Sequence, residues 1–197
     1  MIASMAAFAI EDAFLKIVTK QVPVGQVLMM FGLGGLCVFA LMARRAKAHL
    51  FHPQVFTRSM LFRAVFEFFG RLFYILAIAL TPMSSATAIL QAAPLFVALG
   101  ARIFLHEKVD AKTWLAIWVG LLGVLIILRP SADDFSARSL LALIGTLGFV
   151  GRDLFTRAAP PVLTKEVLGF YGFTTTVIAG ACFALWDGKS FVSLQTM

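Results

Sequence analysis

The sequence predicts an all-α protein, a polytopic helix bundle embedded in a membrane. Hydrophobic residues make up 60% of the 197 residues and charged residues only 14%, with a mean hydropathy of +0.92. A soluble domain of this length needs a more polar surface. The apolar residues form runs close to the roughly 20 residues that a membrane-crossing helix requires. The basic residues, which give a net charge of +7, lie in connectors between these runs and not in one nucleic-acid-binding patch.

Seven apolar passes are predicted, joined by short connectors. Their approximate bounds are 2–18, 24–43, 61–80, 84–105, 113–129, 139–158 and 167–186. Prolines lie at or next to the ends of these passes, where a missing backbone N–H is harmless: Pro23, Pro82, Pro130, Pro160 and Pro161. Pro94, in contrast, lies inside the fourth pass and predicts a kink there.

The first pass, residues 2–18, is predicted to be a transmembrane helix and not a signal peptide. It has no basic leading region, and Glu11 and Asp12 interrupt the apolar run before any small-residue cleavage site. Asp12 and Lys16 are correctly spaced for an i,i+4 ion pair. Both lie near the outer end of the helix, so a substrate-facing pair and a solvated helix end remain alternatives.

The third pass, residues 61–80, is unusual because it carries Arg63, Glu67 and Arg71. The charge-free part after Arg71 is too short to cross a bilayer alone, so these charges must lie inside the span. At about 100° per residue they share a narrow face with Tyr74. Charges at this depth cost about 2.5–3.5 kcal/mol each on insertion scales, so they usually face a protein interior or a wet cavity. Arg63 is expected to snorkel to the cytoplasmic interface, whereas Glu67 and Arg71 either face a cavity or form a structural ion pair.

The fourth pass, residues 84–105, offers Thr87 and Gln91 on the same side as Pro94. A glutamine at mid-membrane needs a hydrogen-bonding partner, either a substrate or a neighbouring helix. The polar residues of three passes are therefore the predicted substrate-binding set: Asp12, Lys16, Glu67, Arg71, Tyr74, Thr87 and Gln91.

Motifs for catalysis do not appear in the sequence. There is no hydrolase elbow, phosphate-binding loop, dinucleotide-binding glycine pattern or zinc-ligand spacing. The sequence therefore predicts no enzyme, no cofactor and no metal.

The distribution of Lys and Arg predicts a cytoplasmic N-terminus. One set of connectors and helix ends holds nine of these residues: Arg44, Arg45, Lys47, Arg58, Arg102, Lys108, Lys112, Arg157 and Lys165. The opposite set holds four: Lys20, Arg129, Arg138 and Lys189. Cytoplasmic connectors carry the excess of positive charge.

An internal repeat links the two ends of the chain. Residues 8–16, FAIEDAFLK, and residues 149–157, FVGRDLFTR, share Phe, Asp, Phe and a base at identical offsets. An odd number of crossings separates the copies, so the second enters the membrane from the opposite side. This is the inverted-repeat architecture of many secondary transporters.

Several motifs in the middle passes resemble a known family. They are Arg63-Ala-Val, Phe73-Tyr74-Ile-Leu-Ala, Thr81-Pro-Met-Ser-Ser-Ala-Thr-Ala, Ala93-Pro-Leu-Phe-Val-Ala-Leu, Phe104-Leu-His-Glu-Lys-Val and Gly120-x-x-Gly-Val. In this order and spacing, the chain resembles EamA-type members of the drug/metabolite transporter superfamily. Residues 1–130 match one five-helix repeat, and residues 139–197 match the first two helices of a second.

The resemblance implies ten helices in two inverted five-helix repeats around a central cavity that works by alternating access. The second repeat is truncated here, about three helices short. The function expected is secondary transport of small polar metabolites or drugs, such as amino acids, in a bacterial inner membrane. The expected partners are a small-molecule substrate and the lipid bilayer, with no nucleic acid, and a homo-oligomer is left open. The alternative is a truncated, non-transporting membrane fragment or an assembly partner in which all charges serve helix packing.

Overall fold

The computed structural model describes residues 2–108, 110–128 and 139–188, and these residues form helices and connectors without a strand. The elements are α1 (Ile2–Val18), α2 (Val24–Arg45), the 3-10 helix η1 (Pro53–Phe56), α3 (Arg58–Leu80), α4 (Met83–Leu90), α5 (Ala93–Phe104), α6 (Ala111–Leu128), α7 (Ser139–Arg157) and α8 (Lys165–Asp187). The predicted all-α class is confirmed. The connector around Pro130 and the predicted basic residues Arg129, Arg138 and Lys189 lie outside the described residues.

The fourth predicted pass is divided into two helices. Helix α4 ends at Leu90 and α5 begins at Ala93, so the break comes just before Pro94. Proline lacks an N–H, and its ring crowds the carbonyl four residues earlier, which here belongs to Leu90. Within the gap, the Ala92 N–H donates an i to i−3 hydrogen bond to the Ile89 carbonyl at 3.1 Å. Gln91 and Ala92 keep right-handed helical backbone angles, so the proline divides the pass into two helices that continue as one apolar stretch.

Three helical stretches in the described part of the chain are long and apolar enough to cross a membrane. They are Val24–Arg45, Ser84–Phe104 taken across the break, and Lys165–Asp187, with mean hydropathies of 2.0, 1.6 and 1.6. Helix α3 has a comparable length of 23 residues, but its charged face lowers its apolar character. The described helices form a membrane helix bundle, and the charged helix α3 lies within it.

Helices α2 and α8 pack closely and run antiparallel. A Cβ on Gly25 would lie 2.7 Å from the Ala184 nitrogen, and one on Gly32 would lie 2.7 Å from Val177 Cγ2. Residues with higher numbers on α2 therefore contact residues with lower numbers on α8. Such contact distances require residues without a Cβ, which let helix backbones approach in a membrane.

Helices α3 and α7 form the second close antiparallel pair. A Cβ on Gly148 would lie 2.4 Å from Gly70 Cα, and one on Gly145 would lie 2.7 Å from the Tyr74 nitrogen. About two turns further on, the Phe62 and Phe155 rings stack with centroids 5.3 Å apart. Helix α3 also contacts α1, α2 and α8, so it lies at the centre of the bundle.

The apolar core lies on one side of this centre. It joins α1, α2, α3, α4 and α7 through the buried side chains of Leu15, Leu28, Ile75, Ile78, Ala86 and Ala142. A smaller cluster ties η1 to the start of α8 through Val55, Met60, Leu163 and Val167. The two clusters hold α3 in place at both ends and leave its charged middle facing α7 and α8.

Candidate functional site

Helix α3 turns its charged face inward. The exposed fractions of Arg63, Glu67 and Tyr74 are 6%, 3% and 3%, whereas those of Phe62 and Phe69 are 50% and 48%. Spacings of four residues keep the charged groups on one face, and the phenylalanines occupy another. The face that Arg63, Glu67 and Tyr74 share by their spacing is buried in the structure.

A cavity of about 130 Å³ opens beside this face, between α3, α7 and α8. It is lined by Arg63, Glu67, Arg71, Arg152, Gly169, Gly172, Phe173 and Thr176. Three arginines thus surround one glutamate at the place where α3, α7 and α8 meet.

The charged groups form a chain of alternating sign that runs from α1 through α3 to α7. Glu11 Oε1 lies 3.4 Å from Arg71 Nη1, and Arg71 Nη2 lies 3.8 Å from Glu67 Oε1. On the other side, Glu67 Oε2 lies 3.5 Å from Arg152 Nη1. Arg152 closes the chain with a contact of 2.8 Å from its Nη2 to Asp153 Oδ1. We call Glu11, Arg71, Glu67, Arg152 and Asp153 the ion chain.

Aromatic rings cover the guanidinium groups of the ion chain. The Arg71 Cζ lies 5.1 Å from the Phe31 ring centroid and 5.3 Å from that of Phe149. The Arg152 Cζ lies 4.9 Å from the Phe149 centroid. Ring faces attract cations at these distances, so the rings replace part of the lost hydration. The Arg71 Nε is buried without a hydrogen-bond partner among the described residues.

Arg63 is buried in the site, and the expectation that it snorkels to the interface is wrong. Its Nε donates to Thr156 Oγ1 at 2.9 Å. A Cβ on Gly172 would lie 3.2 Å from Arg63 Nη2, so this glycine leaves room next to the guanidinium. An acceptor on α7 and a gap on α8 hold the side chain inside.

The family model of the EamA-like transporter family matches residues 1–129. The chain belongs to this family. Because the match covers well over half of the chain and several helices are long and apolar, the protein is a multi-pass membrane protein.

Curated relatives of this EamA-like chain carry the names of transporters. An S-adenosylmethionine uptake transporter of Rickettsia bellii is 29% identical over 116 residues, which is 59% of this chain and 40% of the relative. A riboflavin transporter of Vibrio cholerae is 43% identical over 60 residues, 30% of this chain and 20% of the relative. A pseudopaline exporter of Pseudomonas aeruginosa is 27% identical over 143 residues, 73% of this chain and 49% of the relative. The chain spans about half the length of these relatives or less, and no solved structure matches it.

In this EamA-like chain, Asp12 and Lys16 are each engaged with α3 and do not line the cavity. The Tyr74 hydroxyl donates to Asp12 Oδ2 at 3.0 Å. Lys16 Nζ donates to the carbonyl oxygens of Ile78 and Thr81, the latter at 2.7 Å. The predicted pair of Asp12 with Lys16 is therefore wrong, because the C-terminal carbonyls of α3 attract the ammonium group instead.

Thr87 and Gln91 lie apart from the cavity. Thr87 Oγ1 donates to the Ser84 carbonyl at 3.2 Å, and Gln91 is exposed at the C-terminal end of α4. Neither residue belongs to the cavity lining. Of the predicted set, only Glu67 and Arg71 line the cavity, with Tyr74 and Asp12 paired beside the ion chain.

The sequence-based site lacks Arg152, which the structure places next to Glu67. A signal for it existed in the repeat, because aligning residues 8–16 with residues 149–157 places Arg152 opposite Glu11. These two residues contact neighbouring positions of α3, Arg71 and Glu67. The same repeat contains Phe149, which aligns with Phe8, whereas no comparable signal marks Phe31 because apolar residues fill most of its helix.

Proposed function

We propose that this chain belongs to a secondary transporter that moves small polar metabolites across a bacterial inner membrane by alternating access. The observation that carries the proposal is the cavity with Arg63, Glu67, Arg71 and Arg152 on its walls. Buried ionisable groups in a membrane usually line a substrate or ion path. The relatives named for S-adenosylmethionine, riboflavin and pseudopaline support a small-molecule substrate without agreeing on one.

The proposal includes two inverted repeats, residues 1–130 and 139–197, with the N-terminus in the cytoplasm. Two observations support the repeats. Helices α2 and α8, the second helices of the two copies, pack antiparallel. Glu11 and Arg152 hold equivalent positions in the first helices of the two copies, and both contact α3. Central sites at the junction of such repeats are typical of secondary transporters.

A second candidate function is a helix bundle without transport, in which the charges only hold helices together. The ion chain favours this candidate to some degree because it links α1, α3 and α7 directly. It does not account for the open volume beside Arg63, since a purely structural cluster would be packed closed.

Arg71→Ala in reconstituted proteoliposomes separates the two functions. We expect the initial rate of uptake of the transported compound from a radiolabelled metabolite panel to fall at least about tenfold, or ~1.4 kcal/mol in transition-state free energy, while membrane insertion is unchanged. Arg102→Ala is the matched control, because Arg102 is exposed at the end of α5 and away from the cavity. Normal flux in Arg71→Ala would contradict the site, and no flux of any panel compound in the unmodified chain would favour the second function.

A further inference from the structure

The charge balance of the cavity points to the class of compound that it holds. We propose that the cavity binds an oxyanion, the carboxylate or phosphate group of a small water-soluble substrate, between Arg63 and Arg152. The inference rests on the proposed function in taking the occupant to be the transported compound. It names a chemical class and two binding residues that the transport proposal alone does not require.

Positive charge is in excess on the cavity wall. Arg63, Arg71 and Arg152 line it together with Glu67 as the one carboxylate among the lining residues. Guanidinium groups stay protonated in proteins. Glu11 and Asp153 contact Arg71 and Arg152 from outside the lining and offset their charge. Among the described residues, Arg63 is therefore the lining cation without a carboxylate contact, and an anionic group of an occupant would pair with it.

The contacts of Glu67 are too long to satisfy two guanidinium groups. Its carboxylate oxygens lie 3.5 Å from Arg152 and 3.8 Å from Arg71. Charge-assisted N–H···O⁻ hydrogen bonds are typically about 2.7–2.9 Å long. The shorter bonds of Arg152 go to Asp153, at 2.8 and 2.9 Å. Arg71 and Arg152 therefore keep N–H donor capacity that Glu67 does not use.

The Arg63 guanidinium has N–H donors that its contact with Thr156 does not use. Its Nε is used by Thr156, and no carboxylate oxygen of the described residues lies within 4.0 Å of its guanidinium. A residue that is only 6% exposed and permanently charged normally has an anionic partner. An oxyanion in the cavity would supply that partner.

Gly172 keeps the space in front of these donors open. A Cβ at this position would lie 3.2 Å from Arg63 Nη2 and 3.7 Å from Glu67 Oε2. The cavity volume of about 130 Å³ is several times the roughly 30 Å³ that one water molecule occupies in the liquid. It therefore has room for a carboxylate or phosphate group with a short stem. An anion there would compete with Glu67 for Arg152.

Charge-selective labelling of one cysteine tests the inference without knowledge of the substrate. The two native cysteines are replaced by Cys37→Ser and Cys182→Ser, and the near-isosteric Thr176→Cys places a thiol on the cavity wall. An anionic methanethiosulfonate (the sulfonatoethyl reagent) and a cationic one (the trimethylammonium reagent) are compared, each normalised to its rate with 2-mercaptoethanol. We expect the anionic reagent to react at least about fivefold faster after normalisation.

Variants of single arginines test which guanidinium groups favour the anionic reagent. Arg63→Gln and Arg152→Gln should each lower the anionic-to-cationic rate ratio at least about threefold, and Arg102→Gln should leave it unchanged. Glu67→Gln should raise the ratio. Equal rates for the two reagents, or no labelling of the thiol by either, would overturn the inference.

Protection experiments need no arginine variant, so they remain decisive even where one fails to fold. Succinate or inorganic phosphate should slow labelling of Thr176→Cys at millimolar concentration, whereas the neutral succinamide should not. The measurement is repeated in nanodiscs of phosphatidylcholine with and without phosphatidylglycerol. Protection that follows the phosphatidylglycerol content and not the soluble anions would assign the cavity to a lipid headgroup and overturn the inference.

The result is separable from that of the transport assay. Anion protection without flux in proteoliposomes would keep the oxyanion site and reject transport. Flux of a panel compound with no charge preference in labelling and no anion protection would keep transport and reject the oxyanion site.

Discussion

Tyr74 joins the apolar core of the bundle to its charged face. Its ring packs edge-on against Phe149 with centroids 5.5 Å apart, and its hydroxyl donates to Asp12 at 3.0 Å. The residue is only 3% exposed. A hydrogen bond to a charged group contributes about 1.5–3 kcal/mol net, so this bond fixes α1 against α3.

Tyr74→Phe should therefore lower the free energy of unfolding by about 1–3 kcal/mol, because the Asp12 carboxylate loses its donor while partly buried. Denaturant unfolding of the purified protein in detergent micelles measures the change. Combining Tyr74→Phe with Asp12→Asn in a double-mutant cycle should give effects that are clearly less than additive. Strict additivity would show that the hydroxyl and the carboxylate do not interact.

The sequence predicts individual site residues only where a helix carries its own signal. Glu67 and Arg71 stand out because charges four residues apart on an apolar helix must share a face. Thr87 and Gln91 carry a weaker signal, since a polar residue on α4 can face any neighbour. Arg152 requires knowledge of which helix packs against α3, and spacing within one helix does not contain that information.

Helix α7 uses a glycine at every third position to contact α3. These residues are Gly145, Gly148 and Gly151, and a Cβ on each would lie within 3.0 Å of an α3 atom. A Cβ on Gly145 would meet backbone atoms of Tyr74, and one on Gly148 would meet backbone atoms of Gly70. A Cβ on Gly151 would meet only the flexible ring of Phe66. The α3–α7 interface therefore tolerates a side chain least at Gly148.

Gly148→Ala should destabilise the protein by roughly 1–3 kcal/mol through overpacking, because neither backbone can yield without separating the helices. Gly34→Ala is the matched control, since a Cβ there meets no atom within 4 Å. It should be neutral or slightly stabilising, because alanine favours helix more than glycine does. Thermal unfolding followed by circular dichroism distinguishes the two, and equal midpoints would contradict the observed packing.

The helices themselves are well predicted from the sequence. Every predicted pass is helical, with ends within three residues of those observed where they are described. The exception is the fourth pass, where Pro94 predicts a kink and the structure has a break between Leu90 and Ala93. Apolar length and proline position are local properties, whereas the extent of a break depends on which neighbours satisfy the freed backbone groups.

The pairing of helices is a property of the whole molecule and is the part that the sequence predicts least. Lipid-facing and helix-facing surfaces are both apolar, so hydropathy does not distinguish them. The small residues that do mark interfaces are ambiguous: a Cβ on Gly32 or Gly35 would meet α8, but a Cβ on Gly34, Gly120 or Gly123 would meet no atom of the described residues within 4 Å. The repeat predicts that the second copy enters the membrane from the opposite side, but it does not predict which helices touch.

Disulfide cross-linking tests the antiparallel register of α2 and α8. In the Cys37→Ser, Cys182→Ser background, Gly25→Cys with Ala184→Cys should cross-link under mild oxidation, because a Cβ on Gly25 would lie directly beside Ala184 Cβ and a small separation of the helices brings the two atoms to the roughly 3.8 Å that a disulfide needs. Gly25→Cys with Gly169→Cys should not, since Gly169 faces Phe39 near the opposite end of α2. Mobility on a non-reducing gel reports the outcome. Cross-linking of the second pair alone would reverse the assigned orientation.

The ion chain has a consequence for the energy of moving these helices apart. Arg71 and Glu67 each have an outer partner, on α1 and α7 respectively, and they also face each other at 3.8 Å. If α1 or α7 shifts, the outer contact breaks but the inner pair on α3 persists, so neither Arg71 nor Glu67 is left alone in a medium of low dielectric constant. We expect the inner pair to lower the electrostatic cost of such a shift. A bundle with a single ion pair across each interface would have to expose a bare charge to move.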